Sequence, residues 1–355
     1  MKPLGVGIIG LRHLHPESYV PLFERIEETQ LVAVAESDAG LLEAFERKTG
    51  AVGTEDWRAL IARDDVDLVV IFLPHRACPE AAIAAAEAGK HVLVEKPMAA
   101  TSEGVRRMAE AARGNGVKLS APYAWRYHPV TKTIRKLIED RILGDIVACE
   151  GRCAAGRPDR YLLGNSPWIV EKFQSGGGPM HNLGVHWIDL FRYLLKDEVA
   201  RVSGEVVQSH PEMDIEDHAF ALLRFEKGAV ASLDISYSVP PAYPHGRDLY
   251  IEIRGTSGVL SWSPAWLGET DELLVCSDAE AYRDAPLRRM AIQSEKVPGY
   301  GGVMGLAFLR DFVRAIAEDR SPAVSPEDGI QALNVVEAIY RAAETRNVVD
   351  VKRDA

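Results

Sequence analysis

Short apolar runs alternate with helical patterns along the first third of the chain. The apolar runs have the length of strands and occupy residues 4–9, 31–35, 66–73, 91–94 and 117–121. Between them, apolar positions recur with helical spacing over residues 16–28, 39–48, 57–62, 80–88 and 102–113. The run at 66–73 is apolar on both faces, which is typical of a strand in a parallel sheet. The pattern predicts an α/β fold, with a doubly wound parallel sheet covered by helices on both faces.

The pattern changes after Pro122. Helical patterns at 129–141 and 179–195 flank a strand-like run at 146–154. Strand-like segments then follow at 199–208, 218–225, 229–238, 248–254, 258–262 and 272–276, before two helices at 308–318 and 326–344. This succession predicts an α+β domain with a large open, mostly antiparallel sheet and helices on one face. We therefore predict two domains, 1–122 and 123–355.

Composition and charge narrow the classes of function. The chain has 355 residues, with 52 acidic and 41 basic side chains and a formal net charge of -11. This charge disfavours nucleic acid and anionic membranes as partners, because both attract basic surfaces. The 4 cysteines are too few for a disulfide scaffold of this size. With no evident signal peptide or apolar membrane span, the sequence predicts a cytoplasmic protein.

The first predicted strand runs into a turn that begins at Gly10. A dinucleotide-binding fold needs a glycine at this tight turn, and Leu11 and His13 would then lie beside the phosphates. Arg12 and His15 stand where the second and third glycines of the usual fingerprint belong. The Arg12 guanidinium can pair with phosphate instead. A plain strand-turn-helix without a ligand is the alternative interpretation of this segment.

The second predicted strand ends at Glu36, followed by Ser37. A carboxylate about 20–25 residues after the glycine turn can accept hydrogen bonds from the adenosine ribose hydroxyls. It would also repel a 2'-phosphate. The position therefore favours NAD over NADP, although a solvated glutamate at a strand end is the simpler alternative.

Two longer motifs resemble a known family. Residues 88–97 read AGKHVLVEKP, and residues 176–190 read GGGPMHNLGVHWIDL. The segment RYHP at 126–129 and the segment VSPEDG at 324–329 also fit. Together they resemble the Gfo/Idh/MocA oxidoreductases, of the glucose-fructose oxidoreductase and inositol dehydrogenase types, over nearly the whole chain.

This resemblance implies an N-terminal Rossmann domain, a C-terminal α/β domain with an open sheet, and a set of roles. Lys96 is expected beside the nicotinamide and the reacting carbon, with Pro97 after a cis bond. His186 is expected to exchange the proton. Asn182, where the family often has aspartate, is the third expected catalytic residue and would position His186 or the substrate. On an α-helix, residues 182 and 186 would lie on one face. No metal is expected.

The remaining expected site residues fall into two groups. Those expected to contact the cofactor, besides the glycine turn and the end of the second strand, are Leu73, Pro74, His75, Glu95, Lys96 and Arg126. Those expected to contact substrate are Lys96, Tyr123, His128, Trp168, His181, Asn182 and His186. Two positions depart from the family pattern, because His75 stands for its asparagine and Cys78 for its histidine.

The sequence thus predicts an NAD-dependent oxidoreductase that acts on a sugar, cyclic polyol or sugar derivative. A non-catalytic dinucleotide- or sugar-binding regulator of the same fold is the alternative. A third possibility is transient oxidation during glycoside hydrolysis, with no net NADH formed. An open sheet exposes a face and edges, so a homo-oligomer, either a dimer or a tetramer, is also predicted. Because the chain is acidic, Lys96, Arg12 and Arg126 are the local positive groups expected to favour a dinucleotide.

Overall fold

The computed structural model describes residues 2–240, 242–265 and 269–352. These residues divide into two compact units. The first unit comprises Met1–Ala124, Asp159–Gly176 and Pro298–Gln331. The second comprises Trp125–Pro158, Gly177–Val297 and Ala332–Ala355. The domain boundary drawn from the sequence, at 122/123, stays a prediction.

The first unit is built on a parallel sheet. In its described part the sheet has six strands in the order β3-β2-β1-β4-β5-β6. They are β1 (Leu4–Ile9), β2 (Thr29–Ala35), β3 (Val52–Thr54), β4 (Leu68–Ile71), β5 (His91–Val94) and β6 (Leu119–Ser120). In the centre of the sheet, Ile8 is in register with Val34 on one side and Val70 on the other. The predicted doubly wound parallel sheet is confirmed, and β3 is a short addition that the apolar pattern did not reveal.

Helices follow the strands closely. They are α1 (Pro16–Phe23), α2 (Ala39–Thr49), α3 (Trp57–Ile61), α4 (Cys78–Glu87), α5 (Ser102–Gly114), α6 (Pro129–Glu139), α7 (Pro158–Leu162), α8 (Lys172–Ser175), α9 (Val185–Leu195), α10 (Gly302–Ala317) and α11 (Pro326–Thr345). Capping side chains fix several starts, since Asp38 accepts hydrogen bonds from the first turn of α2 and Thr101 does so for α5. Helix α1 ends at Phe23, earlier than the predicted residue 28, and the chain then turns into β2. Within the described ranges, no helix is long and apolar enough to cross a membrane.

The second unit contains a large mixed sheet. Its described residues form nine strands in the order β14-β13-β12-β11-β7-β10-β9-β8-β15. They are β7 (Ile146–Ala155), β8 (Val199–Val207), β9 (His218–Phe225), β10 (Val230–Ser236), β11 (Arg247–Gly255), β12 (Gly258–Trp262), β13 (Thr270–Ser277), β14 (Leu287–Gln293) and β15 (Val349–Asp350). Strands β7 and β10 pair in parallel, and the other described pairs are antiparallel. The predicted mostly antiparallel sheet is confirmed, and both of its edge strands, β14 and β15, were missed.

The segment after the glycine triplet departs from the prediction of one helix over 179–195. Residues Met180–Gly184 form a π-helical turn, and α9 begins only at Val185. A π turn closes hydrogen bonds over five residues instead of four, so it rotates less per residue than an α-helix. The α-helical spacing used to place residues 182 and 186 on one face is therefore interrupted between them, and their common face stays a prediction.

Candidate functional site

The turn between β1 and α1 has the geometry that the sequence predicted for a glycine. Gly10 has a φ of 88°, and a Cβ atom there would lie 3.1 Å from the backbone of Phe72. A larger residue would be strained for both reasons. Helix α1 starts with Pro16 at its first position, and among the described residues no side chain caps that start. Pro16 has no N–H group and the Ser18 N–H donates to the His15 carbonyl at 2.8 Å, so the Glu17 N–H is the one that this start offers to an anion.

Glu36 ties this turn to the end of β2. Its carboxylate accepts hydrogen bonds from the backbone N–H of Leu11 at 2.7 Å and of Asp38 at 2.9 Å. The Ser37 hydroxyl donates to it at 3.1 Å. The side chain is buried. Glu36 thus fixes the position of the glycine turn, a role that the ribose-binding interpretation did not include.

An ion pair lies on the surface beside Glu36. The Arg12 guanidinium is 3.3 Å from the Asp38 carboxylate, and the Arg12 side chain is 63% exposed. Asp38 also accepts hydrogen bonds from the first N–H groups of α2. The hydrogen bond from the Leu41 N–H is the main cause that lowers the pKa of Asp38. The Gly40 N–H and the Arg12 guanidinium lower it further. The end of β2 therefore carries one exposed cation and one exposed anion.

The turn after β4 holds Leu73, Pro74 and His75. A ring nitrogen of His75, Nδ1, lies 2.7 Å from the carbonyl oxygen of Ser175. The buried Cys78 thiol donates to the carbonyl of Leu73 at 3.3 Å. This turn is therefore fastened to α4 and to the segment around Ser175.

Trp168 is buried against the glycine turn. Its indole N–H donates to the carbonyl of Arg12 at 2.7 Å. Its ring centroid lies 5.8 Å from that of His13 and 4.8 Å from that of His75. These contacts anchor the 159–176 segment within the first unit, a role beside the substrate contact expected from the sequence, which stays a prediction.

Glu95 and Lys96 follow β5 directly. Both side chains are buried, and the Lys96–Pro97 peptide bond is cis. The Glu95 carboxylate accepts a hydrogen bond from the Tyr19 hydroxyl at 2.9 Å. Burial raises the pKa of Glu95, and the neighbouring Lys96 opposes that rise. A buried carboxylate and a buried ammonium therefore stand side by side at the carboxyl end of a central strand.

In the second unit, three polar side chains come from the π turn and the start of α9. His181 and Asn182 lie in the π turn, where both are buried. His186 lies in the first turn of α9 and is half-buried. The Asn182 amide donates to the Tyr237 hydroxyl at 2.9 Å. Tyr237 therefore fixes the orientation of Asn182, and the sequence carried no signal for it.

The glycine triplet is required by close packing. A Cβ atom on Gly177 would lie 2.2 Å from the Tyr340 hydroxyl, and one on Gly178 would lie 2.0 Å from the Glu216 carbonyl oxygen. The Glu216 carboxylate accepts hydrogen bonds from the N–H groups of Gly178 at 2.9 Å and Met180 at 3.2 Å, and from the Tyr340 hydroxyl at 2.7 Å. Burial raises the pKa of Glu216. Glu216 thus anchors the start of the π turn.

Sequence reasoning missed Glu216 and Tyr340. Glu216 sits just before a predicted strand, where a carboxylate is commonly a solvated loop residue. Tyr340 lies on the regular pattern of α11, and nothing in that pattern marks a tyrosine whose hydroxyl has a carboxylate partner.

Two further expected site residues have structural partners, and a third is buried. Arg126 makes two parallel hydrogen bonds to the buried Asp189, at 2.9 and 2.5 Å. His128 caps α6, and its Nε2 atom lies 3.6 Å from a carboxylate oxygen of Asp271. Burial lowers the pKa of His128. Tyr123 is buried in the first unit.

Within the described part of the chain, no group of three or more His, Cys, Asp or Glu side chains is arranged to hold a metal ion.

Comparison with family models gives two matches that cover most of the chain. Residues 4–123 match a model described as an oxidoreductase family with an NAD-binding Rossmann fold. Residues 131–261 match a model described as a GFO/IDH/MocA C-terminal domain.

Curated relatives match over two thirds of the chain or more. The chain is 29% identical to a levoglucosan dehydrogenase of Pseudarthrobacter phenanthrenivorans, over 99% of each chain. It is 24% identical to an NADP-dependent D-xylose 1-dehydrogenase of Haloferax volcanii, over 97% of this chain and 99% of the relative. With a D-glucoside 3-dehydrogenase of Escherichia coli the identity is 27%, over 67% of this chain and 71% of the relative.

Solved structures of similar proteins also match over nearly the whole chain. A levoglucosan dehydrogenase in complex with NADH and levoglucosan has a TM-score of 0.86 and 26% identity, over 99% of this chain and 100% of that one. An oxidoreductase domain protein from Kribbella flavida has a TM-score of 0.87 at 26% identity, with the same coverage.

Proposed function

The chain belongs to the Gfo/Idh/MocA oxidoreductase family, and from this premise we propose that it is an NAD-dependent dehydrogenase of sugars, cyclic polyols or sugar derivatives. The observation that carries the proposal is the near full-length match to a sugar dehydrogenase whose structure was solved with NADH and levoglucosan. The chain also keeps Lys96 and His186 of the two family motifs. Together these features favour a catalytic function over the non-catalytic alternative.

Lys96 and His186 are the proposed catalytic residues. A lysine ammonium stabilises the negative charge that develops on the reacting oxygen when a hydroxyl is oxidised. His186 takes the hydroxyl proton, because an imidazole is suited to proton exchange near neutral pH. Asn182, oriented by Tyr237, holds the substrate or the His186 ring. When bound, the nicotinamide accepts the hydride in oxidation and returns it in the reverse direction.

The first unit contains a set of residues that suits a dinucleotide. The positive φ of Gly10 and the start of α1 suit the pyrophosphate, with Leu11, Arg12 and His13 around it. Glu36 and Ser37 end β2, where the adenosine ribose is held in such folds. Leu73, Pro74 and His75 end β4, and Glu95 and Lys96 end β5. Arg126 remains a proposed cofactor contact, with its hydrogen bonds to Asp189 as a second role.

Substrate contacts are proposed for Lys96, Tyr123, His128, Trp168, His181, Asn182 and His186. The three polar residues of the π turn and the start of α9 are the best supported of these. His128 and Trp168 have the structural partners described above. Besides the proposed contacts, both side chains therefore hold segments of the chain in place.

The test of the proposed function is a panel assay. NADH binding is measured by fluorescence titration, and NADH formation is followed with anhydrosugars, glycosides, aldoses and inositols as substrates. The proposal predicts binding together with net NADH formation on at least one of them. Binding without turnover on the whole panel would favour the regulatory alternative, and product formation without net NADH would favour the hydrolytic one.

We propose NAD rather than NADP as the preferred cofactor, and Asp38 as the residue that adds to this preference. Asp38 places a negative charge at the end of β2, and its pKa is lowered, so it stays ionised at neutral pH. A 2'-phosphate there would be repelled by the Asp38 carboxylate. Once Asp38 is replaced by asparagine, the Arg12 guanidinium would attract that phosphate. Asp38→Asn is expected to tighten NADPH binding by about 10-fold.

The matched control for this prediction is Asp56→Asn. Asp56 also caps a helix, α3, and also lies near an arginine, Arg58, at 3.8 Å. It is expected to leave the NADPH and NADH dissociation constants unchanged. Equal affinity of the wild-type protein for NADH and NADPH would contradict the proposed preference.

A homo-oligomer and a cytoplasmic location complete the proposal. The outward face of β9 exposes Phe220 and Leu222 to 49% and 54%, beside a groove of about 390 Å3. Exposed apolar side chains on an open sheet favour a second copy as partner. The four cysteines, all within the described ranges, are free thiols, which suits a reducing compartment.

The oligomer is tested by light scattering after gel filtration. Leu222→Asp is expected to convert the assembly to monomers, because it places a charge in the apolar surface. The control is Leu287→Asp, which changes an exposed leucine on the edge strand β14. A monomeric wild-type protein would contradict the proposal.

A further inference from the structure

Glu95 is the centre of a buried polar cluster that the proposed reaction does not use. One carboxylate oxygen accepts the Tyr19 hydroxyl at 2.9 Å, and the other accepts the backbone N–H of Lys96 at 3.1 Å. The Tyr300 hydroxyl also faces this carboxylate and interacts with it electrostatically. His15 Nδ1 lies 3.4 Å from it. A buried carboxylate is costly unless it is paired and hydrogen-bonded, so this arrangement stabilises the ionised form.

Tyr300 reaches the cluster from far along the chain. It precedes α10 and belongs to the first unit. Its ring stacks on Tyr19 with centroids 5.0 Å apart and lies 4.4 Å from the His15 ring. Its backbone N–H donates to Ser18 at 2.9 Å, and a Cβ atom on Gly299 would lie 2.6 Å from the same carbonyl oxygen. The position of the Tyr300 side chain beside Tyr19 and His15 is therefore fixed by backbone contacts as well as by ring contacts.

The charges around Glu95 are few. The titratable or charged groups that face it, or that act on it electrostatically through a shared neighbour, are His13, His15, Tyr19, Cys78, Lys96, Arg160 and Tyr300. Burial lowers the pKa of His13 and of His15 well below the usual range, so both rings are neutral at pH 7. Burial also raises the pKa of both tyrosines well above the usual range, so both hydroxyls remain donors. Glu95 is thus a buried carboxylate next to Lys96, and the exposed Arg160 is a second cation that acts on the His13, His15 and Tyr300 side chains.

Lys96 needs such an anion because it is buried itself, with 4% exposure. Burial alone favours the neutral amine of a lysine. The ammonium form carries the positive charge that stabilises an alkoxide, and its hydrogen bond to that oxygen is charge-assisted.

We propose that Glu95 is the counter-ion that keeps Lys96 protonated, and that Tyr19 and Tyr300 hold Glu95 ionised and in place. This inference rests on the proposed function, in which Lys96 acts on the reacting oxygen. Glu95, Tyr19 and Tyr300 are positioning residues, since they act through Lys96. The cluster therefore sets the upper pH limit of activity.

The first test is the pH profile of kcat/KM for Glu95→Gln. Gln keeps the shape and the acceptor oxygen but removes the charge, and a nearby opposite charge changes a pKa by about 1–3 units. The basic limb of the profile is expected to move to lower pH by about one pH unit or more. A basic limb that coincides with that of the wild-type enzyme would overturn the proposal.

The second test uses a milder variant and a readout besides activity. Infrared difference spectra detect the protonated carboxyl of Glu95, which is identified by its loss in Glu95→Gln. Tyr300→Phe removes one hydroxyl donor, so Glu95 is expected to become protonated at a higher pH than in the wild-type protein. Protonation at the same pH in Tyr300→Phe would overturn the role given to Tyr300.

The matched control is Tyr250→Phe. Tyr250 donates to the Glu252 carboxylate at 2.7 Å within β11, in the second unit. Tyr250→Phe is expected to leave both the pH profile of kcat/KM and the infrared band of the Glu95 carboxyl unchanged. An equal change in this control would mean that loss of any tyrosine-carboxylate bond has the effect, and would overturn the specific assignment.

The proposed function of Lys96 and the counter-ion role of Glu95 are contradicted by different results. If Lys96→Met keeps full activity, the proposed function of Lys96 fails, while the infrared test of Glu95 still stands. If Lys96→Met is inactive and the Glu95→Gln profile coincides with that of the wild type, only the counter-ion proposal fails.

Discussion

Three buried glutamates position the backbone around the candidate site. Glu36 holds the glycine turn, Glu95 binds the N–H of Lys96, and Glu216 anchors the π turn. The sequence predicted that Glu36 and Glu95 belong to the site. It could not give their orientations, because their partners are N–H and hydroxyl groups that the fold supplies from other elements.

The buried histidines of the glycine turn predict a pH dependence of stability. Burial lowers the pKa of His13 and of His15 well below 6.5. Below about pH 6.5 the unfolded chain binds protons at these positions and the native protein does not. Their contribution to the free energy of unfolding is therefore complete above about pH 6.5 and is lost as the pH falls towards the native pKa.

Urea unfolding at about pH 7.5 and about pH 5.5 measures this loss. The free energy of unfolding is expected to fall more between these two pH values in the wild-type protein than in His15→Gln, which has no imidazole to protonate at this position. Glu95, with its raised pKa, acts in the opposite direction, so the comparison between proteins is the informative quantity. An equal or larger drop in His15→Gln would contradict the prediction.

The thiols give a second prediction for single residues. All four cysteines lie in the described ranges, where Cys78, Cys149 and Cys153 are buried and Cys276 is exposed. Burial raises the pKa of Cys149 to about 12. A thiol reagent is therefore expected to modify one cysteine per native chain, and none in Cys276→Ser. Rapid modification of the native Cys276→Ser protein would show that a buried thiol is accessible.

At the scale of elements, the apolar pattern predicted most strands but not the local geometry of the site. Strands β1 and β9 have their predicted bounds. The short edge strand β15 and the charged strand β14 carry too weak an apolar signal to be found. The π turn was predicted as α-helix, because its side-chain pattern over one turn is compatible with both. What separates the two is the anchoring of residues 178 and 180 by Glu216, a contact between distant residues.

The glycine triplet gives a prediction at this scale. Gly178→Ala places a Cβ atom 2.0 Å from the Glu216 carbonyl oxygen. The backbone must move, at a cost of about 1–3 kcal/mol in the free energy of unfolding, with a loss of activity because the π turn moves with it.

The matched control is Gly114→Ala in α5, where nothing lies within 4 Å of an added Cβ atom. It is expected to stabilise the protein by about 0.5–1 kcal/mol, because alanine is the better helix former. Urea unfolding measures both. A Gly178→Ala variant as stable and as active as the wild type would contradict the packing account.

At the scale of the whole molecule, the fold class and the family could be predicted from the sequence. The alternating pattern gives the parallel sheet, and the two long motifs give the family. The composition of the two units could not be predicted in detail. Residues 159–176 and 298–331 belong to the first unit, although they follow the start of the second in the chain. Contacts such as those of Trp168 with Arg12 and of Tyr300 with Tyr19 hold these segments there. These are pairings of distant residues, and no local pattern records them.

The central claim is that Lys96 and His186 carry out the chemistry of a dehydrogenase. Its most direct test is the ratio of kcat/KM between the wild-type enzyme and Lys96→Met or His186→Ala, on the best sugar of the panel. The controls are Lys132→Met, which changes an exposed lysine, and His210→Ala, which changes a half-buried histidine with a 45% exposed side chain. We predict a fall of about 10²–10⁴-fold for Lys96→Met and for His186→Ala, with NADH still bound, and none for the controls. Turnover at the wild-type rate in Lys96→Met or His186→Ala would contradict the account.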